Sequence, residues 1–173
     1  MEFQFETAYN QEALTIMAKA LRKTIRKKHS RRSHILGVIV IAAALFLTLP
    51  LGNEVYVLTA KKVLTWLVAA IILLTLIFED WLNGAIAKKR MLPGLEKAVV
   101  TFKKDSYHSV TEIGSSEFKY STIQMLAETT DYFIFIFSRS HAQIYSKASL
   151  KGGSIEEFRT FIQRVTGKEI QTV

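Results

Sequence analysis

The stretch 63–78 reads VLTWLVAAIILLTLIF, sixteen residues with no charge and two threonines. A second stretch, 35–49, reads ILGVIVIAAALFLTL and is also uncharged. Each falls short of the ~20 apolar residues that cross a hydrocarbon core. Both extend, however: the first in chain order, 35–49, through Pro50, Leu51 and Gly52, and the second, 63–78, backward through 55–60, with Lys61 and Lys62 able to snorkel on their long stems. A chain of 173 residues is too short to wrap both runs in protein. The sequence therefore predicts a two-helix transmembrane hairpin, with spans about 35–51 and 61–80, turned by Pro50-Leu51-Gly52-Asn53. The first run begins 35 residues in, behind a basic segment, which is not the layout of a cleaved signal peptide.

Charge is distributed just as unevenly. The net charge is +8, from 23 Lys+Arg against 15 Asp+Glu. Most of the excess lies in residues 1–34, where Lys19, Arg22, Lys23, Arg26, Lys27, Lys28, Arg31 and Arg32 face three acids. Lys88, Lys89 and Arg90 follow the second run, while the connecting loop near 52–61 carries only Lys61 and Lys62 as bases. Bases concentrate on the cytoplasmic side of membrane proteins, so both termini are expected in the cytoplasm. Trp66 and Trp81 fall near opposite ends of the second span, where indoles sit at the interface. These eleven bases are the candidate topology determinants and the candidate contacts to anionic lipid, each worth on the order of 1 kcal/mol near such a surface. Nucleic acid is not an expected partner, because no aromatic interleaving or reading motif accompanies the bases.

Ahead of the spans, Phe3 and Phe5 alternate with Glu2, Gln4 and Glu6, the pattern of a half-buried strand that needs a partner. Asn10 is placed to cap a helix from Gln11, whose Leu14, Met17, Ala18, Leu21 and Ile25 share one face. No Pro or Gly divides this basic amphipathic helix from the first span, so one long helix is compatible with the sequence.

After Leu92-Pro93-Gly94 the pattern changes to strands, at 98–102, 107–113, 117–121, 123–128, 132–137 and 142–147. Asp105-Ser106, Gly114-Ser115-Ser116 and Thr130-Asp131 punctuate them as turns, and Ser138-Arg139-Ser140-His141 reads as a hairpin turn. The run 132–137, YFIFIF, is wholly apolar, so both of its faces should be covered. Asp131 and Arg139 flank it as charged gatekeepers. Ser154 with Glu157 forms a capping box for a final helix carrying Phe158, Phe161, Ile162 and Val165, stopped by Gly167. The fold class is then an α+β membrane protein: the hairpin plus a small, partly open β-barrel capped by a C-terminal helix. The organisation is 1–34, strand and basic helix; 35–90, hairpin with its cytoplasmic extension; and 95–173, β-rich domain. The N-terminal strand is a candidate seventh member of that barrel, which would tie both ends of the chain together.

The order of parts resembles the YcxB-like family of bacterial membrane proteins, whose C-terminal domain is similar to bacterial pleckstrin-homology-like domains. The matching stretches are FQF, the two spans, VVTFKKDSYHSV, FKYSTIQMLAETTDYFIFIF, IYSKASL and SIEEFRTFI. Tyr120, Ile123, Glu128, Thr129, Asp131, Tyr132 and Phe133 carry most of the likeness. It implies a pleckstrin-homology-like fold and a place in the bacterial inner membrane, and it brings no chemical motif and no activity with it.

No catalytic, cofactor or metal site is expected. The chain has no cysteine, which excludes disulfides, thiolate metal sites and a Cys nucleophile. His29 and His34 sit beside a basic cluster that would repel a cation, and no carboxylates frame His108 or His141. Lys151-Gly152-Gly153-Ser154 lacks the rest of a phosphate-loop spacing and reads as a loop with a helix cap. Glu79 and Asp80 end the second span at the interface, where they do not line a conduction path. The expectation is a non-enzymatic membrane protein presenting a cytoplasmic binding domain to a protein, a peptide or the anionic inner leaflet, with self-association left open. The alternative is immunity or stress protection against a membrane-active peptide.

Overall fold

The computed structural model describes residues 2–50 and 57–173. An antiparallel sheet is built in the order β1 (Phe3–Ala8), β2 (Lys97–Phe102), β3 (Ser106–Thr111), β4 (Gly114–Lys119). The N-terminal strand thus finds its partner across the helical insertion, with Phe3 opposite Phe102 and Ala8 opposite Lys97. A second sheet has the order β7 (Ala142–Ser146), β6 (Tyr132–Ile136), β5 (Met125–Glu128), β8 (Ile170–Thr172), with β8 parallel to β5. Among the described residues eight strands form two sheets, where six or seven strands of a partly open barrel were expected. Beyond the named pairings, Gln4 bridges to Lys151, fastening β1 to the loop before the last helix.

The two sheets face each other over an aromatic core. Phe5 lies 5.6 Å from Tyr145 and 4.7 Å from Phe158, and Phe102 lies 5.7 Å from Phe135, centroid to centroid. Helix α5 (Ile155–Thr166) fills the space between them with Phe158, Phe161 and Ile162. Its start is the expected capping box: Glu157 N–H donates to Ser154 Oγ, and Glu157 accepts from the Ser154 backbone. Gly167, at φ 65°, ends it in the left-handed region. In β6, Phe133 and Phe135 enter this core while Ile134 and Ile136 face the opposite way. That second face is covered by α1 (Gln11–Lys23) through Ala13, Ala20 and Leu21. The wholly apolar strand is thus buried on both sides, as its sequence requires.

Some turns differ from the expectation. Gly114-Ser115-Ser116 belongs to β4, and the chain reverses one step earlier, at Glu112-Ile113, because Thr111 pairs directly with Gly114 in a two-residue hairpin. The strand expected at 117–121 ends at Lys119, and residues 120–122 form a 3-10 turn that buries Tyr120. Gly152 has φ 92°, and a Cβ there would stand 2.1 Å from the Glu2 carbonyl oxygen, so the loop lies flush on β1 only with glycine.

Asn10 caps α1 as expected, its Oδ1 accepting from Ala13 N–H at 2.8 Å. The helix does not run on into the first span. It breaks at Thr24 (φ −108°, ψ −101°), and α2 (Lys27–Phe46) starts afresh. The second run forms α3 (Ala60–Ile77), with α4 (Glu79–Arg90) following after Phe78. Among the described helices α3 alone is long and apolar enough to cross a membrane, with 6% of it buried. In α2 residues 27–34 are basic or polar, leaving roughly 18 Å of apolar helix at 1.5 Å per residue. Of the two expected spans, α3 meets the length and composition of a membrane-crossing helix, and α2 packs against it where Gly37 meets Leu76. Most of the expected turn, at Leu51-Gly52-Asn53, and of the connecting loop, through 56, lies outside the described residues.

Candidate functional site

The bases ahead of α2 do not form one uniform face. Arg22, near the end of α1, makes a two-pronged ion pair with Asp80 in the first turn of α4: Nε to Oδ1 at 2.7 Å and Nη2 to Oδ2 at 2.7 Å. Its Nε also lies 4.0 Å from Glu79. The hydrogen bond to Asp80, with the charges of Asp80 and Glu79, raises the Arg22 guanidinium above its ordinary value despite partial burial. Glu79 in turn accepts from Ser30 Oγ at 3.1 Å and stands 3.5 Å from His34 Nε2. His34 Nδ1 is 2.9 Å from the Ser30 carbonyl oxygen, so that ring nitrogen donates. Arg22, Ser30, His34, Glu79 and Asp80 thus clamp α1, α2 and α4 together at the foot of α3.

Beside this clamp lies a cavity of about 650 Å³. One wall is Lys23, Lys27 and Arg31, and the other is β8 with the residue after it, from Gln171 to Val173. Lys23, Lys27 and Arg31 are all exposed, and no carboxylate among the described residues pairs with them. Of the other expected bases, Arg26 donates to the Arg139 carbonyl in the β6–β7 turn, joining α2 to the second sheet. Lys19, Lys28 and Arg32 are exposed on their helices. Lys88, Lys89 and Arg90 occupy the last turn of α4, away from the cavity.

The structure thus divides the eleven bases. Arg22 and Arg26 hold the fold, three bases converge on one cavity, and the remainder are dispersed. The acids that select Arg22 were legible only as interfacial charges. Arg22 and Asp80 are 58 positions apart, and no local spacing links them. The signal that would have found the pair is the hairpin itself, which returns the end of the second run to the start of the first.

A larger cleft, about 810 Å³, opens between the β2–β3 turn and α5. Its Lys104, Lys119 and Arg164 are offset by Asp105 and Glu117. Hydrogen bonding from Ser106 and the nearby His108 hold the Glu117 carboxyl below its ordinary value, so this cleft keeps its negative charge. Inside the domain, Tyr107 and Tyr145 both donate to Gln143 Oε1, at 2.9 and 2.5 Å. Burial pushes both phenols up, leaving them neutral structural donors. Among the described residues no group of three His, Asp or Glu side chains is placed to hold a metal.

The model of the family described as YcxB-like protein matches residues 102–162. Residues 102–162 are thus similar to the YcxB-like family. The matched segment starts at the last residue of β2 and takes in β3 to β7 and most of α5. No curated protein and no solved structure matches the chain. The YcxB-like segment includes most of the mixed-charge cleft, all but Arg164 and Val165, and the basic cavity lies outside it, between α2 and β8.

Proposed function

We propose that the protein is a non-enzymatic, two-span protein of the bacterial inner membrane. Both termini face the cytoplasm, and the two-sheet domain is a pleckstrin-homology-like module that binds a protein, a peptide or the anionic inner leaflet. The observation that carries this reading is the run of exposed apolar side chains on α2 and α3, Leu36, Val38, Ile39, Leu64, Leu67 and Ile71 among them, which begins just past the basic segment ending at His34. Water would not tolerate so large an apolar surface, whereas lipid matches it. The two-sheet layout closed by α5 supports the module.

Because the chain has no cysteine, single cysteines report topology without background. Thr59→Cys should react with a membrane-impermeant maleimide in intact cells, whereas Lys88→Cys and Lys168→Cys should react only after lysis. The opposite pattern, or release of the protein from membranes by alkaline carbonate, overturns the reading.

A further inference from the structure

We infer that the cavity between α2 and β8 is a binding site for a phosphate group, supplied by the headgroup of an anionic phospholipid. The inference rests on the reading that α2 and α3 enter the bilayer, and it deepens that reading by locating one lipid contact. Lys27 and Arg31 are four residues apart on α2 and so share a face, and Lys23 approaches from the end of α1 across the break at Thr24. Three cations brought to one cavity with no paired acid repel one another, and a bound anion relieves that repulsion. The neighbouring charges cannot do so: Asp80 is held by Arg22, and Glu79 is occupied by Ser30 and His34. Those same contacts fix the cavity's rim.

The depth of the site selects the source of the phosphate. His34 borders the cavity, and Ile35, the next residue, is 51% exposed and opens the apolar part of α2. The three bases therefore sit at the level of the lipid phosphates when the apolar part of α2 is in hydrocarbon. The opposite wall offers Gln171 and Thr172, whose polar side chains suit a headgroup hydroxyl. A lipid held there touches the membrane helix and the last strand of the domain at once, and so sets the domain's orientation under the bilayer.

The test uses the full chain in lipid nanodiscs and in neutral detergent, with retained phosphatidylglycerol counted by native mass spectrometry. Two variants remove the same charge: Lys27→Gln with Arg31→Gln, and Lys88→Gln with Lys89→Gln. Glutamine is a good helix former, and all four positions are exposed, so both variants should keep the parent's melting curve. The first pair should cut retention of phosphatidylglycerol relative to phosphatidylcholine by about tenfold or more. The second pair should change it less than about twofold, because its bases are outside the cavity. Displacement of the lipid by millimolar inorganic phosphate supports the phosphate site and shows that a soluble phosphate can fill it. Resistance to displacement supports it as a lipid site. Equal losses in the two variants, or none in either, overturn the inference while leaving a membrane protein with a diffuse basic collar. A parent chain that does not enter nanodiscs at all overturns the membrane reading instead.

Discussion

Glu128 shows how much of the domain turns on one side chain. It closes β5 and receives two hydrogen bonds from Arg159 of α5, at 3.0 and 2.6 Å, and one from Lys147 at 2.6 Å. Lys147 also donates to the carbonyls of Thr129 and Thr130 and stands 5.1 Å over the Phe133 ring. Burial works to raise the Glu128 carboxyl, but the hydrogen bonds and charges of Arg159 and Lys147 outweigh it and hold it below its ordinary 4.5. A carboxyl depressed in the folded state stabilises the fold above the unfolded value, and that stabilisation fades as pH falls through the folded one. Glu128→Gln should therefore cost about 2 kcal/mol at pH 7, since it strips a half-buried acceptor from two cations. In urea melts the gap between variant and parent should narrow as pH drops below 4.5; a gap that stays constant there would contradict this role. Glu128 was conspicuous in the sequence as part of the Glu128-Thr129, Asp131-Tyr132-Phe133 pattern. Its partners were not, because 31 positions separate it from Arg159 and only the tertiary fold closes that interval.

At the level of elements, the contact of α1 with α4 decides how the helices seat on the domain. Gly84 of α4 lies against Thr15, where a Cβ would stand 2.7 Å from Thr15 Oγ1 and 2.8 Å from its backbone nitrogen. Because a backbone atom cannot swing aside, Gly84→Val should force the two helices apart and cost about 1–3 kcal/mol. A fall in melting temperature in detergent, together with faster proteolysis in the 24–26 bend, is the expected signature; an unchanged melt would mean that the contact is slack. Periodicity made α1, α3, α5 and the six long strands of the β-rich region legible, and Asn10, Ser154 and Gly167 marked their helix ends correctly. It failed where pattern and length are weakest. β8 is three residues long with one apolar member, Ile170, and it exists only because β5 has a free edge to pair with. The bend at Thr24 has no Pro or Gly to announce it. It follows from α1 having to lie flat on β6 and β7 while α2 turns toward α3.

On the scale of the whole molecule, the β-rich domain is not a contiguous piece of chain. Phe3 and Phe5, both fully buried, belong to its core, yet four helices separate them from β2. Phe3→Ala combined with Phe5→Ala should remove about 6–10 kcal/mol, the usual 3–5 for each buried phenylalanine. That loss is comparable to the entire stability of a small domain. Limited trypsin digestion should then cut throughout 95–173 in the variant, while the parent yields a resistant fragment. Equal resistance would show that the strand is dispensable. The N-terminal alternation of Phe3 and Phe5 was enough to expect a strand seeking a partner, but the closure of the sheet by β1 was visible only once the partner's register was known. This arrangement also sets a timetable. At about 5–20 residues per second, a ribosome needs roughly 5–20 seconds to pass from β1 to β2. Throughout that interval the first strand waits without its partner while the apolar helices are made, so the domain becomes complete only after those helices.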